Sequence, residues 1–156
     1  MPEISLASFN THYGIRPLPH SPRTPYDLDA ALRICDAQII VIQELWRPDG
    51  HRGALDEAAE ALGYSICHEP TGPATGRTRW PHLAPRGAGT VGIAVLSTLP
   101  IRRLGTFPLG PTRGDPAPGR TALRVQVDVD GRDTRAVVVD REPHRTVAHS
   151  ERYRDL

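Results

Sequence analysis

Two polar side chains, Asn10 and Glu44, each follow a short apolar run at the point where that run ends. If the runs Ile4–Phe9 and Gln38–Gln43 are parallel strands of one sheet, both side chains reach the same edge, where open α/β sheets bind ligands. A carboxylate beside an amide supplies the hard oxygen ligands that Mg²⁺ takes. This edge is therefore a candidate metal site, although the spacing alone favours a plain solvated strand end.

Other candidate residues for a phosphate-bearing ligand lie in predicted loops. His12 follows Asn10 closely enough to reach the same ligand. The long segment 69–90 carries Arg77, Arg79 and Arg86, and guanidinium groups bind phosphates through paired hydrogen bonds. The ordinary alternative for all four is a solvated side chain on a soluble loop.

A β-α-β unit is predicted to position Asn10 and Glu44. Asp27 stands as an N-cap, and apolar residues at positions 28, 31, 32 and 35 repeat with the spacing of an amphipathic helix. The run before Glu44 is apolar on both faces, as in a central parallel strand covered on both sides. A second helix is predicted over Ala54–Leu62, and the next strand over Tyr64–His68.

The second half of the chain predicts further β structure. Strands are expected at Val91–Leu96 and Ile101–Leu109, and residues 123–129 alternate with period two before an Asp130-Gly131 turn of type I′. Residues 69–90 predict a long functional surface loop. The glycines of 87–92 have the spacing of a dinucleotide motif, but a strand follows them instead of a helix, which favours a turn into that strand.

Composition excludes several classes of enzyme. The 156 residues suit one domain, and all 19 basic residues are arginine, which excludes a Walker loop, a Schiff-base lysine and a Ser-Lys dyad. Two distant cysteines predict neither a zinc site nor a disulfide framework. The arginines concentrate in the second half, which is the part expected to face phosphates. No signal peptide or membrane span is evident, so a cytoplasmic location is expected.

Three segments resemble the endonuclease/exonuclease/phosphatase superfamily in type and order. They are Ser8-Phe9-Asn10-Thr11, the strand 40–44 that ends in the Gln43-Glu44 pair, and the strand 92–97. The resemblance runs from about Ile4 to about Val139 and covers the N-terminal part of the family domain. The superfamily includes deoxyribonucleases, sphingomyelinases and inositol phosphatases, so nucleic acids, phospholipids and inositol phosphates all stay open as substrates.

The resemblance implies an α/β fold, part of a four-layered α/β/β/α sandwich with a mixed sheet and helices on one face. It implies a phosphoesterase that depends on Mg²⁺ or Mn²⁺ and hydrolyses phosphodiester or phosphomonoester bonds. Glu44 would be the direct metal ligand, and Asn10 would position the metal or the phosphate. In the family the cation acts as a Lewis acid while an Asp or a His-Asp pair activates water.

The later catalytic motifs of the family are missing from this sequence. Asn10 is the only asparagine, so no Asp-x-Asn motif exists, and no Asp-His pair occurs. His144 is the displaced candidate for the remaining catalytic histidine. A truncated enzyme is therefore expected, with residues 1–140 as the N-terminal portion of the domain and 141–156 as a polar tail, helical or frayed. The alternative is a catalytically inactive member that at most binds phosphate-containing ligands.

The predicted helices would cover one face of the predicted sheet. The strands 39–42 and 91–96 are nevertheless apolar on both faces. The other face is thus expected to be open, and an open apolar face of that size predicts self-association or a partner.

Overall fold

The structure is a computed structural model that describes residues 3–14, 27–73, 88–110 and 120–139. Two helices and two sheets make up this part of the chain. The helices are α1 (Leu28–Cys35) and α2 (Ala54–Ala61), and the strands are β1 (Leu6–Asn10), β2 (Ile39–Pro48), β3 (Ser65–Pro73), β4 (Gly89–Ser97), β5 (Ile101–Gly110), β6 (Arg120–Val129) and β7 (Arg132–Val139). A 3₁₀ turn, His12–Gly14, follows β1.

The predicted β-α-β unit is confirmed. β1 and β2 pair in parallel, with Leu6 opposite Ile39 and Asn10 opposite Gln43. The side chain of Asp27 accepts a hydrogen bond from the backbone N–H of Ala30 at 3.0 Å, which is the N-cap that the sequence predicts for α1. The unit brings the end of β1 beside the middle of β2.

The first sheet is mixed and has the strand order β1-β2-β4-β3. β4 pairs antiparallel with both β2 and β3. Both helices pack on one face of this sheet, where Leu32 of α1 and Leu55 of α2 join Ile40, Ile42 and Leu96 in one core. The predicted arrangement of a mixed sheet with helices on one face is confirmed.

The second sheet, in the order β5-β6-β7, covers the other face of the first. Leu123, Val125 and Val127 of β6 are fully buried against Ile93 and Val95 of β4. The prediction of an open apolar face is therefore wrong, and the reason it gave for self-association no longer holds. The period-two pattern of β6 marks one buried face, and tertiary packing decides which surface that face meets.

The turn between β6 and β7 is the type I′ turn that the sequence predicts. Asp130 and Gly131 have φ angles of 53° and 75°, and the N–H of Gly131 donates to Asp128 Oδ1 at 2.8 Å. Helices, first sheet and second sheet thus form three successive layers, as expected for part of the predicted sandwich.

The two strands that flank the expected loop are longer than predicted. β3 continues past His68 to Pro73, and β4 already begins at Gly89, so both ends of the expected loop 69–90 are strand, and residues 74–87 lie outside the described residues. Pro70 is tolerated because β3 is an edge strand, where a missing N–H breaks no ladder. Within the described ranges, no helix is long and apolar enough to cross a membrane.

Candidate functional site

Glu44 lies inside β2 and not at its end, which corrects the sequence prediction. Gln43 and Glu44 together oppose the single residue Ile93 of β4, because the register of the two strands shifts at this point. Glu44 has a left-handed backbone with a φ of 50°. This β-bulge redirects the side chain of Glu44 and lets the strand continue to Pro48.

Thr11, the residue after β1, stabilises the bulge through hydrogen bonds. Its fully buried hydroxyl lies 2.9 Å from the carbonyl oxygen of Glu44 and donates to it. Its backbone N–H donates to the carbonyl oxygen of Gln43 at 3.0 Å. The strained backbone of Glu44 is therefore held by the segment that directly follows β1.

The Glu44 carboxylate is buried, and one of its oxygens is unpaired. The residue is 5% exposed, and Oε1 has no hydrogen-bond partner within the described part of the chain. Oε2 lies 3.4 Å from Nδ1 of His12. A buried acceptor with no partner carries a desolvation cost, which a bound cation would offset.

His12 lies beside this carboxylate, and Asn10 contacts His12. The side-chain oxygen of Asn10 accepts a hydrogen bond from the backbone N–H of His12 at 2.8 Å. An amide oxygen has two lone pairs, so one is left for a ligand. His12, which the sequence assigns to a phosphate, faces the Glu44 carboxylate in this structure.

Backbone strain concentrates at the same place. Five described residues other than glycine have positive φ, and two of them, Asp36 and Asp130, belong to a helix cap and a hairpin turn. The other three are His12, Tyr13 and Glu44, with φ angles of 44°, 61° and 50°. Such conformations cost about 1–3 kcal/mol each and cluster at functional sites.

One carboxylate is the whole set of charged oxygen donors that the described residues are shown to bring to this site. Within the described ranges, no group of three or more His, Cys, Asp or Glu side chains could hold a metal ion. Mg²⁺ typically keeps several waters and takes one or two carboxylates together with substrate phosphates, so one buried carboxylate with an unpaired oxygen fits it. The predicted residues Arg77, Arg79, Arg86 and His144 lie outside the described residues.

A second polar cluster, which sequence reasoning missed, links the end of β2 to α2 and β3. Nη2 and Nε of Arg47 donate to the Asp56 carboxylate at 2.6 and 3.1 Å, and Nη1 lies 3.1 Å from Nδ1 of His68. Asp56 is buried and also accepts the N–H of Gly53 at the start of α2, at 2.8 Å. The Asp56 carboxylate at N3 accepts the N–H of the N-cap Gly53, which is one half of a capping box, and an acid three residues after the N-cap is the one signal that could have indicated the role of Asp56.

Acid is expected to destabilise the fold through His68. Burial, reinforced by the charge of Arg47, lowers the pKa of His68 from 6.5 to about 4. As pH falls from 6.5 towards 4, the unfolded chain binds a proton at this residue that the folded chain does not, so stability decreases. Urea unfolding at several pH values should show that the free energy of unfolding falls less on acidification in His68→Gln than in wild type. His51→Gln, at an exposed residue, should follow wild type. Equal slopes in all three proteins would contradict the prediction.

Comparison with known proteins gives one family. Residues 7–156 match the sequence model of the Endonuclease/Exonuclease/phosphatase family. An endonuclease/exonuclease/phosphatase from Beutenbergia cavernae DSM 12333 superposes with a TM-score of 0.63 at 22% identity, over 87% of this chain and 37% of that one. A family protein from Leptotrichia buccalis C-1013-b superposes with a TM-score of 0.58 at 14% identity, over 87% and 54%. This chain therefore spans between about a third and about a half of those structures. No curated protein matches it significantly.

Proposed function

This chain belongs to the endonuclease/exonuclease/phosphatase family, and from that membership we propose that it is a Mg²⁺-dependent phosphoesterase with Glu44 as metal ligand. Membership supports chemistry of the phosphoesterase or nuclease type on phosphate esters, and members of the family are generally metal-dependent. The choice of Mg²⁺ over Mn²⁺ and the roles of single residues belong to the proposal. The observation that carries it is the buried, unpaired Oε1 of Glu44.

The neighbours of Glu44 prepare its carboxylate for this role. The bulge and Thr11 fix the backbone, and His12 faces Oε2, which leaves Oε1 as the free oxygen. Asn10, at the end of the neighbouring strand β1, would offer its amide oxygen. A bound Mg²⁺ would supply Lewis-acid polarisation of a phosphoryl oxygen. The residues of this chain would then orient the phosphate while the surrounding core excludes water from one side of the carboxylate.

The second candidate function is binding of a phosphate-containing ligand without turnover. The observation that favours it is the absence of any Asp-x-Asn motif or Asp-His pair from the whole sequence. Hydrolysis needs a group that activates water, and the family uses an Asp or a His-Asp pair for this. The two candidates share the metal and differ in whether the phosphate bond is cleaved.

Hydrolysis of bis(p-nitrophenyl) phosphate and of a short oligonucleotide, with Mg²⁺ or with EDTA, tests the proposal. We expect Mg²⁺-dependent turnover that is lost in Glu44→Gln and kept in Glu57→Gln, a matched change at an exposed residue. Identical purification of both variants controls for contaminating hydrolases. Metal-dependent binding without turnover would support the second candidate, whereas turnover in EDTA or in Glu44→Gln would contradict the first.

A further inference from the structure

The imidazole ring of His12 covers one side of the Glu44 carboxylate. Its Nδ1 atom lies 3.4 Å from Oε2 of Glu44, which is an ion-pair distance. The His12 side chain is 41% exposed and that of Glu44 only 7%, so the ring is the member of the pair that faces solvent. Oε1, in contrast, has no hydrogen-bond partner among the described residues. The two oxygens of this carboxylate are therefore not equivalent.

The ring presents a proton to Oε2. An ionised carboxylate accepts hydrogen bonds and donates none, so Nδ1 of His12 is the nitrogen that carries a proton at this contact. Nδ1 carries that proton in the neutral tautomer and in the charged ring alike. The contact therefore does not depend on the charge of His12.

The backbone around His12 holds the ring at this position. His12 has a left-handed backbone with a φ of 44°, and its N–H donates to Oδ1 of Asn10 at 2.8 Å. The N–H of Gly14 donates to the carbonyl oxygen of Thr11 at 2.7 Å and closes the turn. Thr11 itself donates to the carbonyl oxygen of Glu44. The turn that carries the ring and the bulge that carries the carboxylate are thus joined by hydrogen bonds.

Contact with Oε2 affects cations differently according to how they use a carboxylate. Ca²⁺ takes six to eight oxygen ligands and often binds both oxygens of one carboxylate. Mg²⁺ is smaller, keeps several waters in an octahedral shell, and can use a single carboxylate oxygen. A ring already in contact with Oε2 therefore costs Ca²⁺ a ligand and costs Mg²⁺ none.

We propose that His12 is a positioning residue that makes Glu44 a one-oxygen ligand and thereby favours Mg²⁺ over Ca²⁺. The inference rests on the proposed function, because it requires Glu44 to hold the cation. Groups that bind a ligating carboxylate orient it, and their removal typically lowers metal affinity about 10- to 100-fold. Asn10 contributes to the same effect by fixing the turn from which the ring projects.

Thermal unfolding of the full chain at increasing MgCl₂ or CaCl₂ measures the affinity for each cation, because a ligand that binds the folded state raises Tm. The test variant is His12→Gly, since glycine adopts a positive φ without strain and the turn is kept. We expect its Mg²⁺ affinity to fall about tenfold. Ca²⁺ loses the same orientation but gains Oε2, so its affinity should stay near the wild-type value. An equal change for the two cations, or no change for either, would overturn the proposal.

Two further variants of the site and one control complete the experiment. His12→Asn should restore the preference for Mg²⁺, because asparagine tolerates a positive φ and its amide nitrogen can occupy the position of Nδ1. His51→Gly, at an exposed histidine, should bind both cations as wild type does. Glu44→Gln should bind neither cation. If Glu44→Gln loses both cations while His12→Gly keeps the wild-type preference, the role of His12 is wrong and the proposed function stands. If Glu44→Gln keeps both, both are wrong.

Discussion

Replacement of Glu44 by glutamine is expected to abolish stabilisation by Mg²⁺ while leaving the metal-free protein at least as stable as wild type. Glutamine has nearly the same shape but no charge, so the cost of burying a carboxylate whose Oε1 has no partner disappears. In wild type, Mg²⁺ at one hundred times its dissociation constant should add about 2.7 kcal/mol. In a protein of this size that raises Tm by roughly 5–11 °C.

Thermal unfolding with and without MgCl₂ measures this effect, and Glu57→Gln is its control. Glu57 is exposed on α2, so the same chemical change there should leave the Mg²⁺ response intact. If Glu44→Gln loses the rise of Tm with Mg²⁺ but keeps the metal-free Tm of wild type, Glu44 contributes to binding at the expense of stability. If the wild-type Tm does not change with Mg²⁺, or if the Tm of Glu44→Gln rises with Mg²⁺ as in wild type, Glu44 is not a metal ligand.

The parallel pairing of β1 with β2 could be predicted because it depends on one local rule. Two apolar runs joined by a helix make parallel strands, whose carboxyl ends share an edge. The bulge at Glu44 could not be derived from that rule, although the sequence carries a trace of it. Ile40, Ile42 and Leu45 all pack in the core beneath the helices, whereas strict alternation would place Glu44 there. This break in the period-two pattern marks the extra residue.

The features that the sequence did not reveal depend on contacts between distant residues. The α1 cap and the Asp130-Gly131 turn were predictable because neighbouring residues determine them. The covering of β4 by β6 requires knowing which surface the second sheet meets. Arg47, Asp56 and His68 are likewise separated along the chain, and the fold alone assembles them. The burial of Glu44 likewise depends on contacts between residues that are distant in the sequence.

The glycine pattern of residues 87–92 predicts a turn into a strand. In the structure, Gly89 and Gly92 lie inside the strand itself, in β4. A Cβ atom at Gly92 would collide with the carbonyl oxygen of Glu69 on β3 and would lie 2.7 Å from Nε2 of His68. The first obstacle is backbone, which no side-chain rotation can move. β3 can therefore approach β4 only because position 92 has no side chain.

Gly92→Ala is expected to destabilise the protein by about 3 kcal/mol, because the strand pair must separate locally to admit the methyl group. The small gain from alanine's lower backbone entropy in the unfolded chain, about 0.5–1 kcal/mol, offsets only part of the clash. The expected fall in Tm is roughly 6–12 °C for a chain of this length. Gly72→Ala is the matched control, because Gly72 lies on the adjoining strand, has no positive φ, and has no atom within 4 Å of the place that an alanine methyl group would take. It should unfold close to wild type, so similar Tm values for the two variants would show that the close approach at Gly92 is not required.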